Sequence, residues 1–372
     1  MKTVEGKYTS AKVFSNTAED YALAQIKMLC DNEVFKDCKI RVMPDVHPGV
    51  VGPIGFTSTV GDKIMPMVVG NDIGCGITID KIESKKKIEF QKLDKVIREN
   101  IPSGDKKRDK TDYRFPPIKD FYCKSAIDSI KVDRSIGTLG GGNHFIEMDV
   151  DDEGNYYLAV HSGSRYLGQA VTDYYLREGQ KYLKAKGIEV PYELTWLEGE
   201  LMEQYLHDVK QTIMFAHLNR CIILDIIERE MKLKGITSFD SNHNYIGKSV
   251  EGLTIRKGAI GSYTDLDVII PINMKDGIIL GVGKGNPDWN YSAPHGAGRI
   301  MSRQDVKSNF TINQFKSEMR GIYCSCIGRD TLDEAPFAYR GIEEIKEAIS
   351  DTVEIKKILK PVYNFKAGSK EK

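Results

Sequence analysis

Thirty-four glycines stand in this 372-residue chain, and they gather in short knots between ordinary helix and strand patterns instead of spreading evenly. Glycine is placed where backbone must turn through positive φ or approach something closely, so clusters of it mark points at which the main chain itself is being shaped. One knot runs through residues 41–79, where β-branched runs alternate with Pro and Gly turns, which predicts short strands with functional loops between them. Another is GTLGGGNHFIE, residues 137–147. Between them, residues 102–117 are polar, charged and turn-rich and predict a mobile surface loop whose Lys106, Lys107, Arg108 and Lys110 form a solvated face. Residues 194–234 lack glycine except at Gly199 and repeat Leu, Met, Ile and Phe at helical spacing, which predicts one long helix or two abutting ones, read as scaffold. A shorter helix is expected over 341–350, then an extended segment in which Pro361 forbids a continuing helix.

Composition narrows the classes. The 53 Lys+Arg balance 53 Asp+Glu, so no global field draws this chain onto nucleic acid or membrane, and any phosphate site must be local. The first dozen residues hold no apolar core of a secretory signal, and no stretch reaches the roughly 18 apolar residues of a membrane span, so a cytoplasmic protein is expected. Seven cysteines, with no CxxC, argue against a disulfide framework and leave a metal site or a catalytic thiol open.

Five of the seven histidines, His47, His144, His161, His243 and His295, sit among Gly, Asn, Ser or Pro. Only His207 and His217 lie in the long helical stretch. Asp72 and Cys75 are held three apart in the loop NDIGCG. Alone, such a spacing reads as a turn; with several loop imidazoles it describes a transition-metal site whose ligands come from distant segments, compatible with Zn²⁺, Fe²⁺ or Mn²⁺. No Walker or dinucleotide-binding glycine motif is present. Basic residues in glycine or serine loops, Arg165, Lys257, Arg299 and Arg303, suit anion binding or, more plainly, surface ion pairs. His295 lies between a proline and two glycines with Arg299 four residues on, a setting that favours nucleophilic or acid–base work over packing.

The segments PDVHPG (44–49), DIGCG (72–76), GTLGGGNHF (137–145), VHSGSR (160–165), HNY (243–245), RKGA (256–259), SAPHGAGR (292–299) and DEAPFAY (333–339) occur in the order found in the RtcB family of RNA ligases, and the chain resembles that family from about residue 43 to 368. The resemblance implies a single compact α+β catalytic domain over 1–372, with mixed and antiparallel sheets surrounded by helices. It implies a GTP- and Mn²⁺-dependent ligase that joins an RNA 3′-phosphate or 2′,3′-cyclic phosphate end to a 5′-hydroxyl end through a covalent histidine–GMP. His295 then matches the nucleophile. Asp72, Cys75 and His144 match the ligands of one Mn²⁺, and Cys75, His161 and His243 those of a second. Asn143, Phe145, Glu147, Asn273, Ala297, Gly298, Arg299, Tyr339 and Lys366 match nucleotide-binding positions, Arg165, Lys257 and Arg303 positions for RNA-end phosphates, and Asp45 an acidic position near the site. RNA ends and GTP are the implied partners, with no membrane and no DNA. Two departures stand out: Pro271-Ile272-Asn273-Met274 replaces a Gly-Ser-Met pattern, and Pro48 stands where an aromatic is common. A metal-dependent RNA-end phosphatase or cyclic phosphodiesterase is the rival reading; a pure hydrolase has no use for a covalent histidine or a guanine pocket.

Overall fold

In the computed structural model, which describes residues 1–83, 87–110 and 113–368, two large sheets carry the chain. The first has six strands in the order Lys2–Glu5, Ser10–Val13, Ile40–His47, Ile54–Thr59, Gly252–Lys257 and Asn244–Ser249. Ser10–Val13 and Ile40–His47 pair in parallel and the other neighbours are antiparallel. The second has seven strands, all antiparallel, in the order Gly235–Asn242, Gly76–Ile82, Tyr156–Ser162, Phe145–Val150, Val353–Lys366, Gly277–Gly283 and Asp267–Asn273. Strands of both kinds with helices packed around them give the expected α+β class.

The periodic stretch forms one unbroken helix, Gly199–Met231, which stops where Lys232 turns left-handed at φ 56°. Its Phe215, Ile223 and Ile227 are buried in the main apolar core with Val160 and Leu158 of the second sheet and Leu167 and Val171 of the helix Arg165–Ala185. The helix expected near residue 341 spans Ile342–Ala348. The following strand, Val353–Lys366, tolerates Pro361 because the ladder to Phe145–Val150 shifts register between Pro361 and Tyr363, where a missing N–H costs no regular pairing. Within the segment expected to be a loop, Gly104 N–H donates to Gly140 O at 2.8 Å, and the Arg108 guanidinium donates to Ile136 O and Gly137 O, so its first half lies against the second glycine knot. Residues 111–112 of that segment lie outside the described residues. Among the described residues no helix is long and apolar enough to cross a membrane.

Candidate metal and nucleotide site

The loop after Val69 turns through Gly74 at φ +74°, and a Cβ there would come within 2.9 Å of Ile213 Cα and Ala216 Cβ, so only glycine lets this loop lie against the long helix. That approach delivers Cys75 to the start of the strand Gly76–Ile82. His161 comes from the adjacent strand Tyr156–Ser162, His144 from the end of the second glycine knot, and His243 from the tight link between Gly235–Asn242 and Asn244–Ser249. Cys75 Sγ lies 3.4 Å from His144 Nε2 and 3.3 Å from His161 Nε2, His161 Nε2 is 3.3 Å from His243 Nε2, and Asp72 Oδ2 is 3.4 Å from His144 Nε2. The donor atoms of Cys75, His144 and His161 all fall within 4.8 Å of one another, a grouping that can hold a metal ion.

The electrostatics suit a cation. Burial, then the neighbouring imidazoles, hold His161 well below the usual imidazole range, and burial with the nearby His295 does the same for His243, so both keep a lone pair at neutral pH. His144 donates Nδ1–H to Leu139 O at 2.8 Å, which turns its Nε2 lone pair inward. Against the cost of burial, the neighbouring His144 ring and the Cys75 S–H hold the Asp72 carboxyl well below its ordinary range. Burial and the Asp72 charge push the Cys75 thiol well above its ordinary value. One thiol, three imidazoles and a carboxylate with converging lone pairs form a donor set that fits Zn²⁺, Fe²⁺ or Mn²⁺.

His295 adjoins this cluster, its ring centroid 4.9 Å from that of His243. It follows the short strand Ser292–Pro294, which pairs with Ala259–Gly261. Asp45, fully buried, accepts from the His295 backbone N–H at 3.2 Å and lies 2.7 Å from His295 Nδ1 through the same Oδ2. A carboxylate oxygen accepts, so Nδ1–H is the donor to Asp45 and Nε2 is the ring nitrogen that Asp45 does not engage.

One cavity is lined by His295, His161, His243, Asn143, Phe145, Glu147, Asn273, Ala297, Gly298, Arg299, Arg303, Tyr339 and Lys366, so every nucleotide position inferred from the sequence borders the same space. Burial raises the Glu147 carboxyl to about 7, and Asn364 Nδ2 donates to it. Lys366 Nζ pairs with Glu334 Oε2 at 2.9 Å. Asn273 is spent on its own turn: its Oδ1 accepts from Lys275 N and Asp276 N, and its Nδ2 donates to Asp276.

The three residues matched to RNA-end phosphates do not converge. Arg165, at φ 53°, lines a separate groove with Asp72, His144, Asn143, Lys106 and Lys107. Arg303 borders the nucleotide cavity and pairs with Asp333 and Glu334. Lys257 is buried, donates to Val51 O at 2.8 Å, and is brought down to about 8 by that burial.

Two features escape the sequence reading. Glu334, buried, gathers Lys366, Arg303, Arg299 and Tyr339 Oη around one carboxylate, and against its burial those cations hold it at about 2. The other is Asn219-Arg220, polar in an otherwise apolar turn of the long helix and fully buried. An arginine whose helical neighbours Ala216, Ile223, Leu224 and Ile227 are all core residues is the signal that could have flagged it.

A family model described as "tRNA-splicing ligase RtcB" matches residues 32–127 and 123–367. The chain is 28% identical over 372 residues to the RNA-splicing ligase RtcB of Escherichia coli K12, covering 90% of each chain. It is 28% identical over 399 residues to the tRNA-splicing ligase RtcB of Aeropyrum pernix, covering 82% of this chain and 83% of the other. To the tRNA-splicing ligase RtcB of Thermococcus kodakarensis it is 27% identical over 401 residues, covering 83% of each. With nearly the whole length matched in order, the chain belongs to the RtcB family of RNA ligases.

Proposed function

We propose that this ligase joins an RNA 3′-phosphate or 2′,3′-cyclic phosphate end to a 5′-hydroxyl end at the expense of GTP, with His295 as the guanylylated nucleophile. The observation that carries this reading is the Asp45–His295 pair at 2.7 Å, which leaves an imidazole Nε2 lone pair at the edge of a cavity bordered by Glu147, Arg299 and Lys366. Nε2 attacks the α-phosphorus of GTP, an N–P bond forms, and pyrophosphate leaves. Nδ1–H, held by Asp45, stabilises the positive charge that the ring gains in that step. An oxygen of the RNA 3′-phosphate then displaces the histidine from the GMP phosphorus. The 5′-hydroxyl attacks the activated 3′-phosphate, and GMP departs. A cyclic phosphate end is first opened by water to the 3′-phosphate.

Arg299 and Arg303 supply guanidinium groups for phosphate oxygens, and the Glu147 carboxylate accepts from N1–H and the exocyclic amine of guanine, which adenine lacks. Asp72, Cys75 and His144 would hold one Mn²⁺, and Cys75, His161 and His243 a second. When bound, the ions neutralise phosphate charge at the reacting centre.

Incubation with α-labelled GTP and Mn²⁺ is expected to leave acid-labile, alkali-stable label on the wild-type protein and none on His295→Ala. An unlabelled wild type whose metal loading has been verified would overturn the reading. Because burial holds the Glu147 carboxyl at about 7, GTP affinity is expected to rise about tenfold per pH unit below that value and level off above it. In Glu147→Gln the profile should flatten and the GTP-over-ATP preference collapse, as read from KM for protein labelling across pH 6 to 8.5; a steep profile that persists in the variant would assign the titration elsewhere.

A further inference from the structure

We infer that Asn219 and Arg220, from the middle of the helix Gly199–Met231, are positioning residues that hold the separate backbone segments of the metal cluster in register. The inference rests on the reading of that cluster as a metal site.

Arg220 is fully buried, and each of its five N–H donors is engaged. Nη1 donates to Gly74 O at 2.9 Å and Ser162 O at 3.1 Å. Nη2 donates to Asn242 Oδ1 and Asp240 Oδ1, both at 2.9 Å, and Nε to Thr78 Oγ1 at 2.9 Å. Gly74, Ser162 and Asn242 are the immediate chain neighbours of Cys75, His161 and His243. One planar fork therefore sets the relative positions of three ligands that arrive from three separate backbone segments, and Asp240 balances its charge from within the same network.

Asn219 extends the arrangement to the fourth ligand. Its Oδ1 accepts from Thr138 N at 3.1 Å, and its Nδ2 donates to Thr138 O at 3.1 Å, Ser162 Oγ at 3.0 Å and Gly163 O at 3.3 Å. Ser162 Oγ in turn donates to Leu139 O at 2.8 Å, the carbonyl that also receives His144 Nδ1–H. With all five donors committed to protein, Arg220 has none to offer a phosphate, so it acts through the ligands and not on substrate.

The placement explains why a charged residue sits in the apolar core of a long helix. A rigid helix fixes the fork, the fork fixes the loops, and loops so fixed meet a cation without reorganising. An ordinary stabilising contact would support folding at large; this one bears on the spacing of the donors.

The test uses the full chain, with Co²⁺ alone as spectroscopic probe. Wild-type protein is expected to develop a thiolate-to-cobalt charge-transfer band on titration. Arg220→Lys, which keeps the charge and loses the fork, is expected to weaken Co²⁺ binding by about 10- to 100-fold and to shift or diminish the band. Asn219→Ser, the milder variant should Arg220→Lys fail to fold, is expected to weaken binding in the same direction. Leu224→Ala removes core packing from the same helix without touching the network, and is expected to lower the melting temperature of the metal-free protein while keeping wild-type Co²⁺ affinity and band. Wild-type affinity and spectrum in folded Arg220→Lys or Asn219→Ser would overturn the inference, as would an equal loss of affinity in Leu224→Ala. Absence of any Co²⁺ binding by the wild type would overturn the metal reading beneath it.

Discussion

Replacing Asp45 with asparagine is expected to slow the transfer of GMP to His295 by about 10²- to 10⁴-fold, with metal binding unchanged, because it disturbs the tautomer of the nucleophile and not the ligands. Asp45 Oδ2 serves both the backbone N–H and the Nδ1 of His295, whereas Oδ1 is buried without a hydrogen-bond partner among the described residues. An amide in that place has two orientations, and each fails. With its NH₂ towards the ring it donates to Nδ1, moves the proton to Nε2 and removes the attacking lone pair. With its NH₂ in the Oδ1 position it buries two donors without acceptors, at a cost of about 1–3 kcal/mol, and offers the ring a weaker, uncharged acceptor. Single-turnover labelling with α-labelled GTP separates the cases, with His295→Ala as the zero and Asp45→Ala as a comparison that removes the acceptor altogether. Wild-type labelling by Asp45→Asn would mean that the carboxylate does not set the ring.

Cys75→Ser is expected to weaken Mn²⁺ binding beyond the roughly 100-fold that loss of a supporting group costs, and to abolish labelling with it. The wild type should show a pH signature that the variant lacks. Before a cation arrives, the Cys75 thiol is protonated, its pKa raised by burial and by Asp72, while Asp72 is ionised and His161 and His243 are neutral. Among these four groups only the thiol must release a proton on binding. Mn²⁺ affinity should therefore rise about tenfold per pH unit between about pH 7 and 8.5, a slope of one proton, and serine should flatten it. Equilibrium dialysis across that range measures the slope directly; a pH-independent wild type would show that the thiolate is not a ligand.

The ligand cluster is legible in the sequence because its chemistry is conspicuous: imidazoles and a thiol among glycines have few structural uses. His295 is legible for the same reason. What surrounds them is not. Glu334 lies in a segment whose order is readable, but its hold on Lys366 depends on how the strand Val353–Lys366 pairs with Phe145–Val150, a register no local pattern encodes. Reading the long helix as scaffold captures its Leu and Ile periodicity but passes over Arg220, whose partners come from three other segments. For Lys257 and Asn273 residue type suggests a ligand-facing role, and the fold adds partners that residue type does not show: Val51 O for the one and its own turn for the other. Pro361 shows where a local rule suffices: it excludes a helix, and the strand accommodates it at a shift in register.

The cavity draws on Asp45 beneath His295, on the glycine knot at residues 143–147, and on Tyr339 and Lys366, so its walls are contributed from one end of the matched sequence to the other. Contacts of such sequence separation close late, because their loop entropy must be met before they return any stability. On the proposed reading, a chain cut short before residue 366 keeps His295 but lacks the Lys366 side of the cavity, and is expected to take no label from GTP. Labelling by GTP would then report complete folding as well as a step of the proposed reaction.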